Sequence, residues 1–148
     1  MDEFKIKNFA ASHPGQHLPI QQASSNEVSA LRALLLQRLG LSGATDGLEI
    51  VESIASRSVP IEGEDATRSD FDLTRLLVGS VDSKLDEEVF LNWHRFDELD
   101  RMWAKQLAEV FDDVWYPFAD DLDVVDAQCR WILSIAHHGG IRVLRLAA

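Results

Sequence analysis

Six aspartates fall between Asp112 and Asp126 with no lysine or arginine among them, the densest chemistry-bearing feature of this 148-residue chain. Asp121 and Asp123 are two apart, a spacing that on a strand sends both carboxylates to one face. There they could hold magnesium or manganese for phosphoester hydrolysis, with His94 or His137 as the acid-base group. The wider set Asp120, Asp121, Asp123 and Asp126 does not form a calcium-binding EF-hand loop. The glycine at the sixth position is missing, and the twelfth residue counted from Asp121 is Ile132 rather than a glutamate. No glycine-rich phosphate loop or basic cluster accompanies the pair.

Other reactive residue types lack partners at usable spacing. Ser134 lies in Leu133-Ser134-Ile135 without the glycines of a nucleophile elbow. His137, three residues on, would project from the opposite side of the strand. Cys129 is the single cysteine, so an intrachain disulfide and a four-cysteine zinc site are both excluded. Its place beside an apolar stretch, with only Arg130 as a basic neighbour, reads as a buried structural thiol. His13 and His17 have helical ligand spacing but flank Pro14-Gly15, and no HExxH pattern occurs. His137-His138 reads as turn chemistry ahead of Gly139-Gly140. No catalytic motif, cofactor or metal is expected on this reading.

What remains is a surface. The aspartates are interrupted by Val114-Trp115-Tyr116-Pro117-Phe118, and carboxylates around an aromatic anchor suit recognition of a basic protein partner. The candidate electrostatic contacts are Asp112, Asp113, Asp120, Asp121 and Asp123, with Trp115 or Tyr116 as the anchor. The alternative is that Trp115 and Phe118 plug the core while the acids are merely solvated. Charge distribution points the same way as the cluster. The chain has 14 basic and 25 acidic residues, a net charge of -11, and residues 46–126 hold 22 of the acids. That sign repels nucleic-acid backbones and anionic membrane surfaces.

The elements that must position these groups are those of one α+β domain spanning 1–148. Residues 1–23 pair a short alternating piece, Phe4-Lys5-Ile6-Lys7, with the turn-rich stretch from His13 to Pro19, giving a flexible or edge segment. Ser24 to Glu27 has capping-box spacing. A stripe at Val28, Leu31, Leu34, Leu35 and Leu39 follows before Gly40, which predicts a helix. Asp46 to Glu49 has the spacing to cap a second helix carrying Leu48, Val51, Ile54 and Ala55, although Leu48 to Val51 alone also passes as a strand. Residues 58–69 read as a long loop, and Phe71–Val78 is ambiguous between helix and strand. Val89–Trp93 has strand composition.

One long amphipathic helix is expected from Asp97 to Val114, with Leu99, Trp103, Leu107, Val110, Phe111 and Val114 on one arc. Met102 on its charged side hints at a self-associating scaffold. The chain then closes in a small, mostly antiparallel sheet ending in a meander: Leu122–Val125, Arg130–Ala136 and Ile141–Leu146. A two-residue turn at His138-Gly139 or Gly139-Gly140 would put Trp131, Leu133 and Ile135 on one face with Leu144 and Leu146.

Phe111-Asp112-Asp113-Val114-Trp115-Tyr116-Pro117, Asp120 to Asp126, Trp131 to Ile135 and His137 to Gly139 together resemble small acidic immunity-type proteins that bacteria encode beside secreted toxins. The resemblance covers about residues 88–146 and implies a non-enzymatic, cytoplasmic inhibitor that occludes a cognate toxin. The start of the chain lacks the basic and apolar regions of a signal peptide, which fits that expectation.

Overall fold

The computed structural model describes residues 1–147. Seven strands form one antiparallel sheet: β1 (Gln21–Gln22), β2 (Val59–Asp65), β3 (Glu88–Asn92), β4 (Leu99–Trp103), β5 (Leu122–Asp126), β6 (Trp131–Ile135) and β7 (Gly140–Arg145). Their order is β1-β4-β3-β5-β6-β7-β2, so the central strands are those with the strongest apolar composition. Helices α1 (Glu3–Ser12), α4 (Leu73–Gly79), α5 (Ala104–Glu109) and α6 (Phe111–Val114) cover one face. Helices α2 (Ser25–Leu39) and α3 (Gly47–Arg57) cover the other. The fold is α+β, as expected. Among the described residues no helix is long and apolar enough to cross a membrane.

Local chemistry explains the helix boundaries on the α2/α3 face. Ser24 Oγ accepts the Glu27 amide at 3.1 Å while Glu27 Oε1 accepts the Ser24 amide at 3.0 Å, a complete capping box. Gly40 ends α2 in the left-handed region, with Leu41 N–H reaching Leu36 O at 2.9 Å. Asp46 caps α3 by accepting the Glu49 amide at 2.9 Å.

Register then sorts the sheet into rows. Leu91, Val124, Leu133 and Val143 pair across four strands and face α1, α4, α5 and α6. Phe90, Val125, Ile132 and Leu144 make the parallel row facing α2 and α3. One step further along, the row on the α2/α3 side becomes polar: Asn92, Asp123, Ser134 and Arg142. With both faces covered, β6 is buried along nearly its whole length.

Several expectations are corrected. The long helix from Asp97 does not form: Leu99–Trp103 is β4, and helix begins only at Ala104 and is broken at Val110 before α6. Leu99 packs in the α2/α3 core and Met102 in the opposite one, each 2 % exposed, so the segment obeys a period of two and buries both faces. Pairing along all of β3 overrides its helical stripe. Met102 is therefore core and offers no self-association surface. Residues Phe4 to Lys7 lie in α1 rather than in an edge strand, and β1 takes the edge instead. The stretch 58–69 contains β2 and is not one long loop, while the segment after Phe71 resolves as α4. With seven strands the sheet is not small.

The final hairpin also differs. Ile135 pairs with Ile141, so three residues, His137 to Gly139, form the loop between Ala136 and Gly140. Gly139 adopts φ +99°, which only glycine takes without strain, and a Cβ there would run into the Asp65 carboxylate. The extra residue relative to a two-residue turn exchanges faces. Trp131, Leu133 and Ile135 share theirs with Ile141 and Val143, while Leu144 and Leu146 lie with Ile132.

Candidate functional site

The polar row ends where β3 leaves the sheet and β5 enters it, and two clefts open there. The larger, about 550 Å³, lies beside α1 and is lined by Asp2, Glu3, Lys5, Ile6, Trp93, His94, Glu98, Asp100, Asp120 and Asp121 among others. The smaller, about 390 Å³, lies against α3 between Leu48, Val51, Asn92, Arg95, Asp121 and Asp123. Trp93, His94 and Asp121 border both. Together the two carry seven carboxylates, with Lys5 and Arg95 as the lysine and arginine of the lining.

Each wall has a local cause. Asn92 ends β3 and uses its Oδ1 to accept the amides of His94 and Phe96, at 3.3 and 2.9 Å, holding the turn in which Phe96 sits at φ +60°. That turn presents Trp93, whose indole N–H donates to Asp100 Oδ2 at 3.0 Å; the Met1 amine meets the same oxygen at 2.6 Å. Lys5 is 1 % exposed. Its ammonium donates to Asp120 Oδ2 at 2.6 Å and Val114 O at 2.9 Å, and lies 4.1 Å from the centre of the Trp93 ring and 5.1 Å from that of Tyr116.

Asp123 has a different environment. Ser134 Oγ donates to one of its oxygens at 2.7 Å and Asn92 Nδ2 to the other at 3.0 Å, and both donors are neutral. Burial pushes its carboxyl above the usual carboxylate range, against those two hydrogen bonds, and nearby Asp121 adds to the rise. Asp121 is exposed and accepts the His137 amide at 2.8 Å and faces its Nδ1 at 3.0 Å.

Of the residues singled out from sequence, the clefts bring together Asp120, Asp121 and Asp123. Asp112 and Asp113 sit on α6 and line neither cleft. Asp120 spends its charge on Lys5 and also accepts the Tyr116 amide at 2.8 Å. Trp115 is not an anchor: it is 2 % exposed, stacks on Phe111 at 5.6 Å between centroids and donates its indole N–H to Asp120 O at 2.9 Å. Tyr116 is half-buried and turned to α1, with Phe4 edge-on at 5.8 Å and Asn8 reaching its hydroxyl at 3.2 Å. Phe118, offered as a core plug beside Trp115, is 75 % exposed instead.

Lys5, Trp93, Glu98 and Asp100 were missed as site residues. Lys5 looked like part of an edge strand, and Glu98 and Asp100 looked like the acidic first turn of a helix. Only Trp93-His94 directly after a strand carried a usable signal.

Among the described residues, no three His, Cys, Asp or Glu side chains stand close enough to share a metal ion. No family model matches the chain, and no match to a curated protein or a solved structure was found.

Proposed function

We propose that the chain is a non-enzymatic acidic binding protein, of the immunity-inhibitor type, that receives a basic surface of a cognate toxin at the paired clefts. The observation that carries this reading is the lining: seven carboxylates converge on one end of the sheet, and its buried lysine is already neutralised by Asp120. Leu48 and Ile6, 45 % and 43 % exposed, give the rim the apolar contact area that electrostatic attraction alone does not supply. If the partner is a nuclease, the cleft acids occupy the groove meant for phosphates.

The test is capture from lysate of the source cell at low and high salt, comparing the wild-type chain with the double variant Asp121→Lys/Glu98→Lys. Both residues are exposed, so reversing them leaves the core intact. The expected result is one stoichiometric basic protein, released as salt rises and lost with the variant. Retention of the same protein by the variant, undiminished and insensitive to salt, overturns the placement.

A further inference from the structure

Helix α1 is bound to the rest of the molecule in an unusual way. Of its ten residues only Lys5 and Phe9 are buried, and Phe4 and Ile6 remain 50 % and 43 % exposed. Its deepest contact is an ammonium in a cage: carboxylate at 2.6 Å, backbone carbonyl at 2.9 Å, and two aromatic rings. Two walls of the cage, Trp93 and Asp120, have partners outside α1, while the Tyr116 ring also packs on Phe4 and Asn8. Trp93 is fixed by Asp100, Asp120 by the Tyr116 amide, and the Asp120 carbonyl by the Trp115 indole. Lys5, Trp93 and Asp120 also form part of the larger cleft wall, so the cage opens directly on the acidic cleft.

We propose that this cage is a recognition site for a lysine side chain, filled in the free protein by the chain's own Lys5, which a lysine of the partner displaces as α1 moves aside. The proposal rests on the basic-partner reading and names the chemistry of one contact. A primary ammonium fits because it is compact, donates three hydrogen bonds and sits over aromatic faces. Carboxylate, carbonyl and rings in this cage meet those demands. Besides Lys5, α1 is held by Phe9 in the core, by Phe4 and Asn8 against Tyr116, and by the Met1 amine on Asp100, so the Lys5 ammonium is one of two cationic attachments at its N-terminal end.

The experiment uses the full ¹⁵N-labelled chain titrated with hexalysine, read at the Trp93 indole N–H signal. Lys5→Ala empties the cage, and the variant is expected to bind hexalysine saturably and at least about tenfold tighter than wild type, because an internal occupant holding the site nine-tenths of the time lowers apparent affinity by that factor. Equal affinity for the two chains, or no shift of the Trp93 signal in a variant that keeps its sheet protection, overturns the proposal.

Hydrogen exchange on the wild-type chain decides the matter even if Lys5→Ala does not fold. Amides of α1 should exchange faster than those of β6, and faster still with hexalysine present. Exchange of α1 only through global unfolding overturns the proposal. Failure here with salt-sensitive capture intact removes the cage alone, whereas saturable hexalysine binding at Trp93 beside capture that ignores salt and the Asp121→Lys/Glu98→Lys change removes the cleft placement alone.

Discussion

The two ends of β5 each hold a carboxylate withdrawn from solvent, Asp126 fully and Asp123 in part, and the sheet treats them in opposite ways. Asp126, 2 % exposed, is closed off by Arg130: guanidinium nitrogens approach its two oxygens at 2.7 and 2.9 Å, and the Arg130 amide adds a third bond at 3.0 Å. Glu87 holds the same guanidinium from outside at 3.0 Å. Asp123 at the other end has two neutral donors and no such cation. A desolvated charge is tolerated when a counter-charge and hydrogen bonds offset the lost hydration, and its protonation is favoured when they do not. The Asp126 end is therefore a finished piece of structure. The Asp123 end has no counter-cation of its own, and exposed Asp121 beside it offers its charge to an external cation.

The largest expected effect lies at the closed end. Cys129, buried next to Asp126, has its thiol pushed up to about 12, by burial first and by the Asp126 carboxylate second. Only the thiolate alkylates, so iodoacetamide at about pH 8 should label the folded protein roughly a thousandfold more slowly than the urea-unfolded chain. Intact-mass time courses in the two conditions check this. Labelling at the unfolded rate would mean that this end opens readily and that the contrast along β5 is false.

Removing the closed end's carboxylate comes next. Asp126→Ala deletes three hydrogen bonds and the buried half of an ion pair whose guanidinium is about half exposed, with an expected loss of about 2–3 kcal/mol in urea unfolding. Glu87→Gln, touching the same guanidinium where Arg130 is about half exposed, should cost under about 1 kcal/mol. Equal losses for the two would assign the stability to a surface network rather than to the buried contact.

How far this arrangement was legible in sequence follows from the range of the interactions involved. The capping box and glycine stop of α2, the Asp46 cap of α3, and the three strands from Leu122 onward are set by neighbours within a few residues and could be read directly. The segment from Asp97 to Val114 could not, because its stripe suits a helix. What makes Leu99–Trp103 a strand is β3, a hairpin partner held in place by the Asn92 side chain. The hairpin at Gly139 shows the finer limit: a three-residue loop in place of two moves Leu144 to the other face. For the site, the acid-rich run was visible in composition. Its division into Asp120 paired with Lys5, Asp126 paired with Arg130, and Asp123 left without a cation depends on side chains over a hundred positions away in the first case and four in the second.

The cap of α2 gives a local reference against which the open end can be judged. Ser24→Ala removes the oxygen that accepts the Glu27 amide and should cost about 1 kcal/mol by thermal or urea unfolding. Ser24 also holds Glu27 below the usual carboxylate range through backbone and side-chain hydrogen bonds, with Arg101 assisting. That contribution is present above the ordinary glutamate value and fades as pH falls through the lowered one.

Asp123 should behave in the opposite sense, and with the smallest effect on stability at neutral pH. In Asp123→Asn the new amide can keep both contacts: its oxygen accepts from Asn92, whose own oxygen is already engaged, and its nitrogen donates to Ser134 Oγ. The buried charge is removed, while the Ser134 hydroxyl gives up the acceptor it has in the wild type, so the two effects oppose each other and the change at about pH 7 should stay within about 1 kcal/mol.

The pH dependence gives the sharper result. Because the folded Asp123 carboxyl lies above its ordinary value, the folded chain takes up the proton first. Wild type should therefore gain stability relative to Asp123→Asn as pH falls from the raised value toward the ordinary one near about 3.9, and the difference should level off below it. Urea midpoints of both chains between about pH 7 and about pH 4 measure that difference directly. Should wild type instead lose ground to the variant on acidification, Asp123 would be stabilised as an anion in the folded chain. The open end of β5 would then be as electrostatically complete at Asp123 as the closed end is at Asp126, and the contrast between them would be lost.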